Sequence, residues 1–383
     1  MSGAPLNPIG LYIHWPFCTA ICPYCDFNVY RDRGVDAAAW SAALVADLEY
    51  WASRIVRRPL ASIYFGGGTP SLAPVSVIEN VIAAADRLFG LEPHAEITLE
   101  ANPKDANEDR LSAFADAGIN RLSLGVQSFD DAALKFLGRD HDAAMARRAI
   151  DLAQKIFPSS TFDLIYGRPN QSDDDWRAEL SEALRFSPTH LSLYQLTIEP
   201  GTAFATQVEK KRWAPADDER QARHYEIARE ETAAAGLNAY EISNYAAAGH
   251  ESRHNLLYWR YQDYIGIGPG AHGRLSIDGA RIATKAVDRP AQYFSQIKSA
   301  GNGAETEEAL DDDAQLIERL SMGLRLVEGV PLYADDYFYR DEARTRRLHD
   351  FIDDGYLSLN CGTLRTTDKG RPVLNRLLYE LLG

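Results

Sequence analysis

Short apolar runs alternate with longer amphipathic stretches through the first 200 residues of this 383-residue chain. Such alternation indicates strands joined by helices, which is the pattern of a parallel sheet. The predicted strands are GLYIHW (10–15), SIYFGGG (62–68), EITLEANP (96–103), RLSLGVQS (121–128), TFDLIYG (161–167) and HLSLYQL (190–196). The predicted helices cover 36–57, 74–89, 107–117, 142–156 and 173–186. Six strands in this rhythm predict an α/β fold, a partial (β/α)6 TIM-like barrel, with a doubly wound sheet as the alternative.

The rhythm ends before the last third of the chain. Residues 239–304 are rich in aromatic residues and contain the stretch HNLLYW. After about residue 305 the pattern is helix, helix and then the stretch DGYLSLNCGTLRTTDKGRPVLNRLLYELL, which is typical of a small α+β module resembling a winged helix. The sequence therefore predicts a barrel domain over 1–238, a connecting segment over 239–304 and a C-terminal domain over 305–383.

Charge and hydropathy narrow the class of protein. The chain has 55 acidic and 40 basic residues, a net charge of −15, and no prominent basic run interleaved with aromatic residues, so nucleic acid is not expected as a partner. Residues 1–25 carry no charged side chain, but prolines interrupt this stretch and no basic region precedes it. No run approaches the roughly 20 apolar residues of a membrane span. We expect a soluble, cytoplasmic protein.

Three of the four cysteines lie in the stretch CTAICPYC, where Cys18, Cys22 and Cys25 have the spacing C-x3-C-x2-C. This arrangement is not a disulfide framework. Three thiolates on one loop suit three corners of an iron–sulfur cubane and leave the fourth iron open. The alternative is a structural zinc site, which would need a fourth ligand such as His14 or Cys361. Spacing alone leaves both interpretations open.

Polar and glycine-rich groups follow several of the predicted strands. The second strand leads into GGGTP (66–70), and Glu100, Gln127 and Asp163 lie on the next three. Parallel strands present their carboxyl ends at one edge of the sheet, so these groups are expected at one site. GGGTP matches neither the P-loop nor the dinucleotide-binding pattern. Taken singly, Glu100 and Asp163 could cap helices, and Gln127 could be a satisfied core amide.

Several of these motifs together resemble the radical S-adenosylmethionine superfamily, in the branch of the oxygen-independent coproporphyrinogen III oxidases. The motifs that carry the resemblance are CTAICPYC, GGGTPS, TLEANP, GVQSF and FDLIYG. Three later stretches resemble the heme chaperone members of that branch. They are ISNYA, ESRHNLLYW and YIGIGPGAHG. The resemblance implies a barrel of the radical S-adenosylmethionine type.

The resemblance also implies a set of site residues. Cys18, Cys22 and Cys25 would bind a 4Fe-4S cluster, whose open iron chelates the amino and carboxylate groups of S-adenosylmethionine. The residues implied around that cofactor are Tyr12, Tyr24, Gly67, Gly68, Thr69, Glu100, Gln127, Arg139 and Asp163. Arg139 could otherwise be a surface ion pair. An electron donor is implied, because the reduced cluster cleaves a carbon–sulfur bond to give a 5′-deoxyadenosyl radical.

HNLLYW (254–259) resembles the HNxxYW motif of the heme chaperones, which implies that His254 is a heme ligand. The alternative is that this histidine satisfies backbone groups while Tyr258 and Trp259 belong to the core. Arg253 and Arg260 could pair with heme propionates or lie on the surface as solvated charges.

Two departures from the oxidase pattern favour a chaperone. The oxidase motif has a fourth cysteine where this chain has Phe27, and the oxidase has a longer segment than the 17 residues that precede Cys18 here. The expected function is therefore a heme chaperone that binds heme and transfers it to acceptor proteins. The alternatives are a coproporphyrinogen oxidase and a zinc-stabilised binding protein. The sequence predicts no role for Arg168, which replaces an apolar residue of the family, or for Cys361.

Overall fold

A computed structural model describes residues 7–32 and 34–383, which form one large sheet covered by helices and a smaller C-terminal unit. The strands are β1 (Ile9–Trp15), β2 (Phe17–Cys18), β3 (Tyr30–Arg31), β4 (Leu60–Gly67), β5 (Leu91–Ala101), β6 (Arg121–Gln127), β7 (Ser159–Tyr166), β8 (His190–Gln195), β9 (Asn238–Ala239), β10 (Asn244–Ala246), β11 (Asp263–Ile267), β12 (His272–Ile277), β13 (Ala280–Ala286), β14 (Ala304–Ala309), β15 (Val330–Pro331), β16 (Leu357–Asn360) and β17 (Thr363–Thr366). The helices are α1 (Ala37–Arg54), α2 (Val75–Phe89), α3 (Glu108–Asp116), α4 (Asp131–Phe136), α5 (Ala143–Ile156), α6 (Asp173–Arg185), α7 (Ala203–Glu209), α8 (Asp218–Ala234), α9 (Arg253–Trp259), α10 (Pro290–Ala300), α11 (Asp312–Gly323), α12 (Glu342–Asp353) and α13 (Leu374–Leu382).

The six predicted strands are β1 and β4 to β8, and they pair in that order as parallel neighbours. The predicted α/β class and the six repeated units are therefore confirmed. The sheet continues past this set at both edges. On one side β11 pairs parallel with β1 and leads to the antiparallel strands β12, β13 and β14. On the other side β10 and β9 pair antiparallel beyond β8.

Capping side chains mark the residues at which several barrel helices begin. A side-chain oxygen accepts a hydrogen bond from the first turn of each of five barrel helices, which satisfies backbone donors that have no partner within the helix. These capping residues are Asp36, Asn107, Asp130, Asp142 and Ser172. The strands between the helices are buried on both faces, as parallel strands are in this architecture. The polar ends of the strands are thus left to form the mouth of the barrel.

Helix α9, which carries HNLLYW, closes the end of the barrel at which the parallel strands begin. Glu96 of β5 accepts hydrogen bonds from the backbone nitrogens of Arg253 and His254, both at 3.0 Å, and from the hydroxyl of Ser252. Arg121, the first residue of β6, lies 3.7 Å from the same carboxylate. Buried Glu96, which is paired with Arg121, therefore anchors the N-terminus of α9 against the sheet.

The C-terminal unit has its own apolar core. Helices α11, α12 and α13 pack with the antiparallel sheet β15-β17-β16 around a leucine-rich cluster that begins at Leu316. This unit is α+β, as predicted. The predicted boundary at 304/305 falls at the start of β14, which pairs with β13 in the large sheet. Throughout the described part of the chain, the helices are too short or too polar to cross a bilayer.

We expect Glu96→Ala to destabilise the fold strongly, because it leaves Arg121 buried without its partner and the first turn of α9 without an acceptor. The free energy of unfolding should fall by about 3 kcal/mol or more, measured by urea denaturation. The matched control is Glu92→Ala on the same strand. Glu92 pairs with Arg253 at a partly exposed position, so its loss should cost about 1 kcal/mol or less. Equal losses in both variants would show that the buried pair does not anchor α9.

Candidate functional site

A cavity of about 380 Å³ opens at the carboxyl ends of the parallel strands. Its wall combines residues from the loop after β1, the turn after β4, the ends of β5 and β6, and β7. The residues predicted for the site that line this cavity are Cys18, Cys22, Tyr24, Cys25, Gly67, Gly68, Thr69, Glu100, Gln127, Arg139 and Asp163. The fold thus brings together all the predicted site residues except Tyr12 and His254.

The three cysteines lie on a loop closed by the short parallel pair of β2 and β3. Cys18 is buried and the other two are half-buried, and all three are free thiols. The hydroxyl of Thr69 donates to Cys18 Sγ at 3.4 Å, and Arg139 Nη1 donates to Cys22 Sγ at 3.3 Å. Burial raises the pKa of the Cys25 thiol to about 11. Bound iron, together with these donors, would stabilise the thiolate forms.

Neither His14 nor Cys361, the fourth ligands considered for a zinc site, is placed to complete one with the three cysteines. His14 uses both ring nitrogens within the protein, with Nδ1 at 3.0 Å from the Tyr12 hydroxyl and Nε2 at 2.9 Å from the carbonyl oxygen of Asn28. Cys361 is exposed in the turn between β16 and β17. Across residues 7–32 and 34–383, no three His, Cys, Asp or Glu side chains converge on a single metal ion. The donor set fits a cluster that spreads the three thiolates over separate irons.

The glycine turn after β4 holds the cysteine loop by close backbone contact. Gly68 N donates to Trp15 O at 2.7 Å and Thr69 N donates to Phe17 O at 2.8 Å. A Cβ on Gly68 would lie 2.7 Å from the Phe17 carbonyl oxygen, and one on Gly67, whose φ is +104°, would lie 2.6 Å from the His14 ring. Glycine is therefore required here by the cysteine loop itself, whatever ligand the cavity binds.

Two carboxylates in the cavity favour a ligand that is cationic or rich in hydroxyl groups. Burial raises the pKa of Glu100 to about 7, although the hydroxyl of Tyr64 donates to it at 2.8 Å, and the negative charge of Asp163 adds to the shift. Burial likewise raises the pKa of Asp163 to about 6, against a hydrogen bond from Ser192. A positive ammonium or sulfonium in this cavity would offset the cost of ionising both groups.

Two buried polar atoms at the cavity have no hydrogen-bond partner among residues 7–32 and 34–383. Gln127 ends β6 in the left-handed backbone region, with φ of +69°, and its side-chain oxygen makes no hydrogen bond. Arg139 Nη2 donates to Asn102 Oδ1 and to Gly125 O, both at 2.9 Å, whereas its Nε is unpartnered. Gln127 Oε1 and Arg139 Nε therefore remain available to a polar ligand in the cavity. The cavity residues therefore fit a cluster with a bound S-adenosylmethionine.

Tyr12 and His254 lie behind the cavity, towards the closed end of the barrel. The rings of Tyr12 and His254 both stack near Tyr64, at centroid distances of 6.3 and 4.9 Å. His254 is 1% exposed, and its Nδ1 and Nε2 lie 2.7 Å from the hydroxyls of Ser62 and Tyr258. Burial lowers its pKa to about 3. In this conformation His254 has no nitrogen free for a heme iron, and its role as a ligand stays a prediction.

Tyr64 and Asn102 support cavity residues directly and were not among the predicted site residues. Tyr64 precedes the glycine turn, and Asn102 belongs to the quoted motif TLEANP. Asn102 lies two positions after Glu100, so strand alternation could have placed both side chains on one face. No local signal marks Tyr64, because packing alone turns its ring towards His254 and its hydroxyl towards Glu100.

Arg168 lies outside the cavity. Its guanidinium pairs with Glu179 of α6 at 2.6 Å, and both side chains are buried. The same carboxylate accepts hydrogen bonds from Phe129 N at 2.9 Å and from the hydroxyl of Ser128. The pair therefore ties the chain that follows Gln127 to α6 and stabilises the end of β6 from the outside.

Comparison with known proteins extends over the whole chain. The family model described as the radical SAM superfamily matches residues 12–183, and the one described as the HemN C-terminal domain matches residues 310–373. The heme chaperone HemW of Escherichia coli (strain K12) is 36% identical, over 99% of this chain and 99% of the relative. Radical S-adenosyl methionine domain-containing protein 1, mitochondrial, of Bos taurus is 37% identical, over 100% of this chain and 90% of the relative.

Among solved structures, coproporphyrinogen III oxidase (HemN) from Escherichia coli superimposes with a TM-score of 0.82. The match covers 100% of this chain and 91% of that chain at 22% sequence identity. The two proteins share the fold.

We expect Glu100→Gln to raise the thermal stability of the ligand-free protein at pH 8 and to leave it unchanged near pH 4. The folded pKa of about 7 lies above the usual value of 4.5, so the wild type loses stability as pH rises between these values. Glutamine avoids that loss, which should be about 1–3 kcal/mol. Melting temperatures across the pH range, with Glu199→Gln at the cavity rim as the control, test this. A gain that is the same at pH 4 and pH 8 would contradict it.

Proposed function

This chain belongs to the radical S-adenosylmethionine superfamily, in the group that includes the proteins named heme chaperone HemW, and we propose that it binds heme and transfers it to acceptor proteins. The observation that carries the proposal is the similarity to HemW from end to end, at 36% identity over 99% of both chains. Coproporphyrinogen oxidation is the second candidate. It is less well supported, because the solved oxidase shares 22% identity with this chain.

Phe27 also favours the carrier. It occupies the position at which the oxidase motif has a fourth cysteine, and its side chain is 61% exposed at the mouth of the cavity. Ile21 and Tyr194, which are 46% and 40% exposed, line the same mouth. Exposed apolar side chains around a cavity suit a large, flat, apolar ligand such as a porphyrin. This mouth lies at the end of the barrel opposite to His254, so a heme bound here would take its iron ligand from another side chain.

Membership of this superfamily implies a 4Fe-4S cluster and S-adenosylmethionine. We propose Cys18, Cys22 and Cys25 as the cluster ligands. The proposed cofactor-binding residues are Tyr12, Tyr24, Gly67, Gly68, Thr69, Glu100, Gln127, Arg139 and Asp163. When bound, a reduced cluster of this family supplies the electron that cleaves a carbon–sulfur bond of S-adenosylmethionine, so an electron donor is a further proposed partner.

The roles of the protein's own groups follow from the cavity. Glu100 and Asp163 would attract the cationic end of the cofactor, since each carboxylate is costly to ionise without one. Gln127 and the unpartnered nitrogen of Arg139 would orient its polar groups. The packed glycine turn would shield Cys18, the buried cysteine, from water. We propose a cytoplasmic location, while noting that relatives named mitochondrial also occur.

One experiment on anaerobically reconstituted protein distinguishes a heme carrier from a coproporphyrinogen oxidase. Heme is titrated by absorbance, and the same preparation is then incubated with S-adenosylmethionine, a reductant and coproporphyrinogen III. We expect stoichiometric heme binding and no protoporphyrinogen IX, because the similarity is to the chaperones. Formation of protoporphyrinogen IX would make the protein an oxidase, and absence of heme binding would refute the carrier.

The variants His254→Ala and Tyr258→Phe test the proposed iron ligand. If His254 ligates the iron, removing the Tyr258 hydroxyl frees Nε2 of the histidine and should tighten heme binding in Tyr258→Phe, whereas His254→Ala should weaken it. A freed nitrogen that ligates iron should also move the Soret band. If neither variant changes the heme affinity, another side chain ligates the iron, and α9 serves only to close the barrel.

A further inference from the structure

Three consecutive residues in the turn after α4 contact three points of the cysteine loop. Gly138 has φ of +67°, and a Cβ there would lie 2.5 Å from the Pro23 ring. Arg139 Nη1 donates to Cys22 Sγ at 3.3 Å. Asp140 Oδ2 accepts a hydrogen bond from the hydroxyl of Thr19 at 3.0 Å. The turn therefore follows the loop residue by residue.

Asp140 is itself held in place from the other side. Its two oxygens accept from Asn102 Nδ2 at 3.1 Å and from Lys104 Nζ at 3.2 Å. Asn102 also accepts from Arg139, so the side chains of the turn are joined in one network. Partial burial opposes ionisation of Asp140, but hydrogen bonds from Lys104 and Thr19 outweigh it and lower the pKa of this carboxyl. The acceptor for Thr19 is thus a charged and oriented one.

The cysteine loop depends on side-chain contacts of this kind, because its backbone forms few hydrogen bonds. Residues 19–29 form two hydrogen bonds with other backbone groups, Cys25 N to Cys22 O at 3.1 Å and Phe204 N to Pro23 O at 2.8 Å. This segment has no regular secondary structure. Side-chain contacts must therefore define the positions of Cys22 and Cys25 relative to Cys18.

We propose that Gly138–Asp140 is a clasp that keeps the cysteine loop in its cluster-binding conformation, with Thr19 and Asp140 as positioning residues. Neither residue is a proposed ligand of the cluster. Their effect passes through the loop, because Thr19 directly follows Cys18 and Arg139 directly precedes Asp140. The clasp acts on the cluster and is independent of whether the protein carries heme.

The pair Thr19→Val and Thr19→Ser tests the clasp with little disturbance of the fold, since Thr19 is exposed. Valine keeps the shape and loses the hydroxyl, whereas serine keeps the hydroxyl. After anaerobic reconstitution, iron content per chain, the rate of iron release to bathophenanthroline disulfonate and the electron paramagnetic resonance spectrum of the reduced cluster are measured. We expect Thr19→Val to release iron about three- to tenfold faster, as the loss of one solvent-exposed hydrogen bond predicts, and Thr19→Ser to match the wild type.

The control is Thr345→Val in α12, which removes the hydroxyl of a half-buried threonine in the C-terminal unit and should leave iron release unchanged. Urea unfolding of the apoproteins separates positioning from general stability, and Thr19→Val should unfold at the wild-type midpoint. Wild-type iron release in Thr19→Val, or equally fast release in Thr19→Ser, would overturn the proposal. A lowered unfolding midpoint that accounts for the faster release would also overturn it.

Discussion

The contact between the glycine turn and the cysteine loop is the constraint on which the rest of the site depends. The backbone nitrogens of Gly68 and Thr69 bind the carbonyls of Trp15 and Phe17, so the loop leaves β1 directly over the end of β4. No side chain fits between them. This contact places Cys18 beside the Thr69 hydroxyl and leaves the open side of the loop facing Glu100, which lies on the next strand.

The two ends of the barrel have different tasks and are joined by aromatic side chains. At the carboxyl ends of the strands, the cavity combines thiols, carboxylates and unpartnered polar atoms. At the opposite end, α9 is anchored by Glu96 and packs its histidine against Ser62. Tyr64 connects them, since its ring stacks on His254 and its hydroxyl donates to Glu100. A shift of α9 would therefore move Tyr64 and change its hydrogen bond to Glu100. The HNLLYW stretch thus has a structural role in addition to any contact with heme.

Much of the fold followed from local patterns. The six strands were predicted because apolar runs ended at glycine or polar residues, and helix starts such as Ser172 carry their own capping side chains. The cavity wall was predicted from motifs that each lie at one strand end. The predictions were weaker where the role of a side chain depends on residues that are distant in the chain. Arg168 could not be understood without Glu179, and Tyr64 was overlooked because only packing turns its ring towards both His254 and Glu100.

By itself, the sequence determined the chemistry available at the site, because cysteine spacing, strand alternation and glycine at a tight turn are properties of short segments. It also determined that the carboxylates and Gln127 would meet, since parallel strands share one edge. Only the tertiary structure decided which of these groups are free. His254 is used inside the protein by Ser62, 192 residues away in the chain, and Arg139 is shared between Cys22 and Asn102. Those hydrogen bonds join distant segments, so no local pattern contains them.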